Sequence, residues 1–251
     1  MTGAGSGIGR AAAIGLARAG ADVGVLGRTK DELEQTASLV EGEKGRAHVL
    51  VADVSKPEQV EAAIERLVSA AGRLDVVFAN AGVNGVWAPI DQISPEEWQK
   101  TLAINLSGTF YTFKYAAPHL KRQGGSIVVC ASVNGTRMFS NTGASAYATS
   151  KAGQVALSKM LAVELARDKV RVNVICPGAI ESEIDDNTQR RNVEDVKVPV
   201  EYPEGSIPLT RGAPGRAEQV ADLVVFLASD RSSHISGTEV WIDGAQSLIE
   251  G

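Results

Sequence analysis

Thr2-Gly-Ala-Gly-Ser-Gly-Ile-Gly9 runs directly into an apolar pattern of helical period that continues through Ala19 and stops at Gly20. Glycines at positions 3, 7 and 9 let backbone amides close on an anion, and the helix opening there aims the positive end of its dipole at the same point. A glycine-rich turn alone has many uses. Here the strand, helix and strand that should follow a nucleotide-binding turn do follow it. In that setting Gly3, Ser6, Gly7, Ile8 and Gly9 read as a cradle for the pyrophosphate of a dinucleotide.

Outward from this turn, runs rich in Val and Ile recur at residues 22–26, 47–51, 74–79, 126–131, 170–176 and 239–242, separated by segments of helical period. Strands apolar along their whole length are covered on both faces. Parallel strands of that kind need helical crossovers, so the pattern predicts a three-layer, doubly wound α/β (Rossmann) fold with a mostly parallel central sheet. Ser55-Lys-Pro-Glu58 and Ser94-Pro-Glu-Glu97 each combine a capping Ser, an early Pro and a Glu, and each predicts a helix start. The helix opened by Ser94 is expected to pass Asn105 towards Tyr115 and to end at Pro118. Residues 182–215 carry mixed charge and four prolines, which reads as a substrate-binding lid within a single domain spanning 1–251.

The bulk composition excludes several classes. A net charge of -5 and no Lys/Arg run longer than a pair leave no footprint for nucleic acid or an anionic membrane. No stretch reaches the roughly 18 apolar residues of a membrane span. Cys130 and Cys176 stand alone in apolar runs and read as buried, reduced thiols, which fits a cytoplasmic setting. His48, His119 and His234 lack ligand-like spacing, so no metal site is expected.

Two strand ends bear on the dinucleotide. The first full strand ends Leu26-Gly-Arg-Thr29, without the acidic residue that would bond a free ribose hydroxyl. Arg28 suits a 2′-phosphate and favours NADP(H), with NAD(H) as the alternative. The competing reading is a solvated strand-end arginine, and Ser6 stands where a second basic residue would have helped NADP(H). Asp53, followed by Val54, is placed to meet an adenine amino group or to act as a turn residue.

Tyr147-Ala-Thr-Ser-Lys151 puts a phenol and an ammonium on one face of a helix. Phenol titrates near 10, so about three pKa units, roughly 4 kcal/mol, must come from nearby positive charge before it serves as a base at neutral pH. Lys151 and an oxidised nicotinamide can share that task. Ser132 follows a strand and is expected at the carboxyl edge of the sheet, where open α/β folds bind ligands. Its hydroxyl could hold a substrate oxygen while Tyr147 exchanges the proton. Alone, a Tyr–Lys pair at this spacing is more often a surface pair; joined to Ser132 and the glycine turn it reads as catalytic.

Across essentially its whole length the sequence resembles a classical short-chain dehydrogenase/reductase. The resemblance rests on Thr2–Gly9, Asn80-Ala81-Gly82, Asn105, Ser132, Tyr147 with Lys151, and Pro177-Gly178, in that order. It implies a catalytic set of Ser132, Tyr147, Lys151 and Asn105, with Asn105 helping to hold a water through which Lys151 passes protons. It further implies that Lys151 bonds the nicotinamide ribose, that Asn80, Ala81 and Gly82 flank the adenosine ribose, and that Ile180 and Ser182 meet the carboxamide. A homotetramer is the family expectation. The implied activity is reversible reduction of a small carbonyl compound to an alcohol; the competing class is a non-catalytic nucleotide-binding scaffold or redox sensor.

Three features depart from the family pattern. A strand of about five or six residues is expected before the glycine turn, whereas the sequence begins Met1-Thr2, so the natural polypeptide is expected to start upstream. Fifteen positions separate Ser132 from Tyr147, a wide interval that reshapes the substrate mouth, and Asp243-Gly-Ala245 replaces a commoner pair of glycines. The lid mixes both signs of charge, with Tyr202, Ile207 and Leu209 reading either as pocket wall or as lid packing.

Overall fold

The computed structural model describes residues 1–181, 187–198 and 200–250. Its first half comprises α1 (Gly7–Arg18), β1 (Asp22–Gly27), α2 (Lys30–Gly42), β2 (Arg46–Val51), α3 (Pro57–Ala71), β3 (Val76–Ala79) and β4 (Gly85–Trp87). Next come α4 (Pro95–Leu102), a π-helical turn (Ala103–Ser107), α5 (Gly108–Leu120), β5 (Gly125–Cys130) and α6 (Ser145–Glu164). The chain closes through β6 (Val170–Pro177), β7 (Thr188–Arg190), α7 (Ala217–Ala228) and β8 (Glu239–Ile242). Every strand expected from the apolar runs is present within two residues of its expected ends.

β1 pairs in parallel with β2, while β3, β5, β6 and β8 form a second parallel run in that order. Met1-Thr2 lies between the two groups. The Thr2 amide donates to Phe78 O at 3.0 Å, Leu26 donates to Met1 O at 3.0 Å, and Ala4 donates to Leu26 O at 3.1 Å. The place expected for a first strand is therefore held by a two-residue bridge, which delivers Gly3 to the carboxyl ends of β1 and β3.

Side chains alternate across the sheet, and both faces are buried. Ile127, Val129, Val172 and Val174 join a core with Phe113 and Leu120, whereas Val128, Cys130 and Ile175 join one with Val220, Val224 and Leu227. α7 packs on α1 and α3 on α5, so helices cover each face and complete the three layers. Truncating a fully buried residue such as Leu227 to Ala should cost roughly 2–5 kcal/mol.

Three local expectations need correction. Lys56, not Ser55, occupies the cap position of α3, because the Ser55 hydroxyl and amide both donate to Asp53 Oδ1 (2.8 and 2.9 Å). Ser94 does form the expected reciprocal cap with Glu97, at 3.2 and 2.9 Å. Pro118 lies inside α5 rather than ending it: so near a terminus a proline forfeits one backbone bond, and burial of His119 and Leu120 keeps the last turn helical. Finally, 182–215 is not irregular throughout, since β7 forms a parallel ribbon with β4.

Candidate active site

The glycine turn opens onto a cleft of about 400 Å³ at the carboxyl ends of β1, β2 and β3. Gly3 and Gly7 adopt φ of +64° and +46°, which side chains resist. A Cβ on Gly3 would fall 2.8 Å from Ala81 Cα, and one on Gly9 only 1.9 Å from Gly3 O. The Thr2 hydroxyl accepts from the Asn80 and Ala81 amides, both at 3.1 Å, and Asn80 Nδ2 donates to Gly3 O at 3.1 Å. The turn is thus locked to the end of β3 with its bare backbone facing the cleft at the head of α1. This is the shape and polarity that a dinucleotide pyrophosphate needs.

Gly3, Ser6, Gly7, Ile8, Arg28, Asp53, Val54, Asn80, Ala81 and Gly82 all line the cleft. Gly9 lies behind it, packed on Gly3. Partial burial works against ionisation of Asp53, but the Ser55 hydrogen bonds and the charges of Arg28 and Lys56 outweigh it and hold its pKa below the usual value. Sequence reasoning missed Thr29, Glu32, Val83 and Ile104, which also line the cleft. Glu32 sits in the first turn of α2 with its carboxylate over the glycine turn: a Cβ on Gly5 would fall 2.7 Å from Glu32 Oε2. An acidic residue one turn beyond Arg28 was the available signal.

α6 carries Tyr147 and Lys151 one turn apart, both buried, with Lys151 Nζ 5.5 Å from the centre of the phenol ring. Nζ donates to Cys130 O at 2.7 Å, at the end of β5. Burial lowers the Lys151 pKa, which makes its ammonium a readier proton donor. Ser132 is buried just past β5, and its Oγ accepts from the Asn134 amide at 3.1 Å. That leaves the hydroxyl proton to be given elsewhere.

Asn105 is wholly buried in the π-helical turn, a distortion that often marks a functional position. Its amide is strapped to Val83 in both directions at 2.9 Å, and Nδ2 also reaches Ser150 Oγ at 3.0 Å. A Cβ on Gly82 would come 3.3 Å from Asn105 Oδ1 and 3.6 Å from Lys151 Nζ. A side chain on Gly82 at the cleft would therefore meet both groups. Pro177 and Gly178 stand at the end of β6, where Val133 donates to Pro177 O at 3.0 Å and Gly178 donates to Ile242 O at 3.1 Å. Ile180 bridges to Gly215. None of these three lines the 400 Å³ cleft, and Ser182 lies outside the described residues.

A family model described as enoyl-(acyl carrier protein) reductase matches residues 3–245. The 3-oxoacyl-[acyl-carrier-protein] reductase FabG of Thermotoga maritima is 35% identical over 245 residues, covering 97% of this chain and 95% of that protein. A 3-ketoacyl-ACP reductase structure from Sinorhizobium meliloti 1021 superposes with a TM-score of 0.96 at 53% identity, covering 99% of this chain and 98% of the other. A 3-ketoacyl-(acyl-carrier-protein) reductase from Brucella melitensis, complexed with NADH, gives 0.85 at 29% identity, covering 98% and 96%.

Proposed function

The chain belongs to the classical short-chain dehydrogenase/reductase family, and on that premise we propose that it interconverts a carbonyl compound and a secondary alcohol, with Tyr147 handling the proton. It is an oxidoreductase, and its cofactor is a nicotinamide dinucleotide. The observation that carries the proposal is the buried Tyr147–Lys151 pair, with Lys151 bonded to Cys130 O at the end of β5, two residues before Ser132, and close to Gly82 of the dinucleotide-shaped cleft.

When bound, the nicotinamide supplies or accepts the hydride. In reduction Tyr147 gives its phenolic proton to the carbonyl oxygen, and in oxidation it takes that proton back. Ser132, its oxygen already engaged by the Asn134 backbone amide, donates a hydrogen bond to the same substrate oxygen, keeps its proton and polarises the carbonyl. The positive charge of Lys151 favours the phenolate, and its lowered pKa suits it to return a proton. Asn105, held by Val83 and Ser150, positions the exit route for protons towards solvent.

Arg28 at the cleft favours NADP(H) by its charge towards a 2′-phosphate, with NAD(H) as the alternative; Glu32 on the same wall opposes that preference. Asp53 and Val54 serve the adenine end, Asn80, Ala81 and Gly82 the neighbouring ribose, and Pro177, Gly178, Ile180 and Ser182 the nicotinamide end. We assign residues 182–215 as a lid within one domain. The exposed apolar side chains Phe110 on α5 and Met160 and Val163 on α6 support a homo-oligomer, for which family resemblance suggests a tetramer; the cytoplasm is the compartment that two reduced thiols fit.

The test is a panel of ketones and aldehydes assayed with NADPH and NADH in parallel, followed by cofactor absorbance. Carbonyl-dependent cofactor oxidation is expected. A protein that binds the cofactor yet turns over no carbonyl or alcohol with either form would refute the proposal.

A further inference from the structure

A second cleft, of about 410 Å³, is walled by residues 140–142, by Trp87 of β4 and by Arg190 of β7. Two hydrogen bonds within the protein connect its wall to Ser132. Asn141 Nδ2, on the cleft wall, donates to Asn134 Oδ1 at 3.0 Å, and the Asn134 amide donates to Ser132 Oγ at 3.1 Å. A molecule seated here presses on the loop that joins Ser132 to Tyr147.

The β4–β7 ribbon mounts Arg190 rigidly. Trp87 and Arg190 are register partners, and Arg191 then ties the ribbon down through Glu97 at 2.9 and 3.0 Å and through Gln92 O. Consecutive side chains diverge, so Arg191 takes the carboxylate while Arg190 lies over the Trp87 ring, 5.3 Å from its centre. Lys197 on the same wall is spent on Glu194 at 3.4 Å, and Glu250 accepts from Gln246 at 3.0 Å. Among the described residues Arg190 has no carboxylate partner, and Trp87 Nε1 is a buried donor without an acceptor. Among the described residues Arg190 is thus the one charged group on this wall without a hydrogen-bonded partner.

We propose that this cleft is the distal substrate subsite and that Arg190 receives a carboxylate carried by the substrate away from its reacting carbonyl, so that the preferred substrates are oxo-acids. The proposal rests on the carbonyl-reductase reading above. Arg190 is a specificity residue in this scheme, and the chemistry stays with Tyr147 and Ser132.

The test pairs levulinate and acetoacetate with their methyl esters, against the parent protein with cofactor and the variants Arg190→Met and Arg190→Lys. Binding is read by ligand-observed NMR titration and turnover by cofactor absorbance. A charge-assisted bond to a carboxylate predicts a loss of about ten- to a hundredfold in affinity and kcat/KM for the acids in Arg190→Met, with partial rescue by Lys and no change for the esters. Esters bound as tightly as acids by the parent, or an equal loss for both in Arg190→Met, would overturn the subsite. Because binding is read separately, acids bound through Arg190 without turnover would sink only the catalytic reading, whereas turnover of neutral ketones without acid preference would sink only the subsite.

Discussion

Replacing Gly9 by Ala tests whether the glycine turn is the cradle. The new Cβ would stand 1.9 Å from Gly3 O, 2.8 Å from Gly3 C and 2.9 Å from Asn80 Nδ2. Carbon needs about 3.5 Å from a non-bonded neighbour, so the Gly3 carbonyl must retreat by more than about 1 Å. It cannot do so freely: Gly3 sits at φ +64°, and its oxygen accepts from Asn80. Overpacking costs about 1–3 kcal/mol, and the strained hydrogen bond adds about 1 kcal/mol. A penalty of roughly 2–4 kcal/mol, shared between stability and ligand binding, should weaken NADPH or NADH binding by at least tenfold. Gly15→Ala, in the same helix, is the control, since its Cβ meets only Val225 Cγ2 at 3.2 Å and Ala221 Cβ at 3.7 Å. Side-chain methyls yield, and helix propensity favours Ala by up to about 1 kcal/mol. Melting curves and fluorescence titrations on both variants separate the effects. Folded Gly9→Ala protein that binds cofactor within about twofold of the parent would show that the turn does not hold the dinucleotide.

Glu32→Gln removes a carboxylate from the wall that carries Arg28; screened repulsion of about 1 kcal/mol predicts NADPH tightening about fivefold relative to NADH, and an unchanged ratio would remove Glu32 from cofactor selection. Hydrogen bonds from Arg191 and from the Ser94 amide hold the Glu97 pKa down at about 2. Its contribution to stability is therefore present above the ordinary carboxyl range and is lost as pH falls towards 2. The melting-temperature gap between parent and Glu97→Gln should close on acidification; a gap constant with pH would contradict this. Burial pushes the Cys176 thiol up to about 12 and raises Cys130 as well, so a thiol reagent at neutral pH should label neither cysteine until the protein is unfolded, and fast native labelling of either would contradict their burial.

Local, periodic features were legible in the sequence. The glycine turn, the strands and the Tyr147–Lys151 spacing each express one backbone geometry over a few residues, and each lies where it was expected. Features set by packing between distant segments were not. β4 and β7 are three residues long and carry no period; they exist because Trp87 and Arg190 meet across about a hundred positions. The π-helical turn at Asn105 has no sequence mark; α6 packs directly on it, and Ser150 Oγ of α6 accepts from Asn105 Nδ2. Ser55 looked like a cap because its spacing matched, but Asp53 lay within reach of its hydroxyl and won the hydrogen bond. Glu32 escaped notice because the strand-end rule looks at the last residues of β1, whereas the acid that reaches the cleft comes from the next helical turn.

Tyr147→Phe removes one oxygen and leaves the ring, Lys151 and the cleft in place, so it isolates the proton from everything else at the site. Carbonyl reduction and cofactor dissociation should be measured on the same preparation. Turnover is expected to fall by about a hundred- to ten-thousandfold, in line with the loss of a general acid, while the cofactor dissociation constant stays within about tenfold of the parent. Turnover that survives in the phenylalanine variant with cofactor binding intact would contradict the assignment of Tyr147 as the proton carrier.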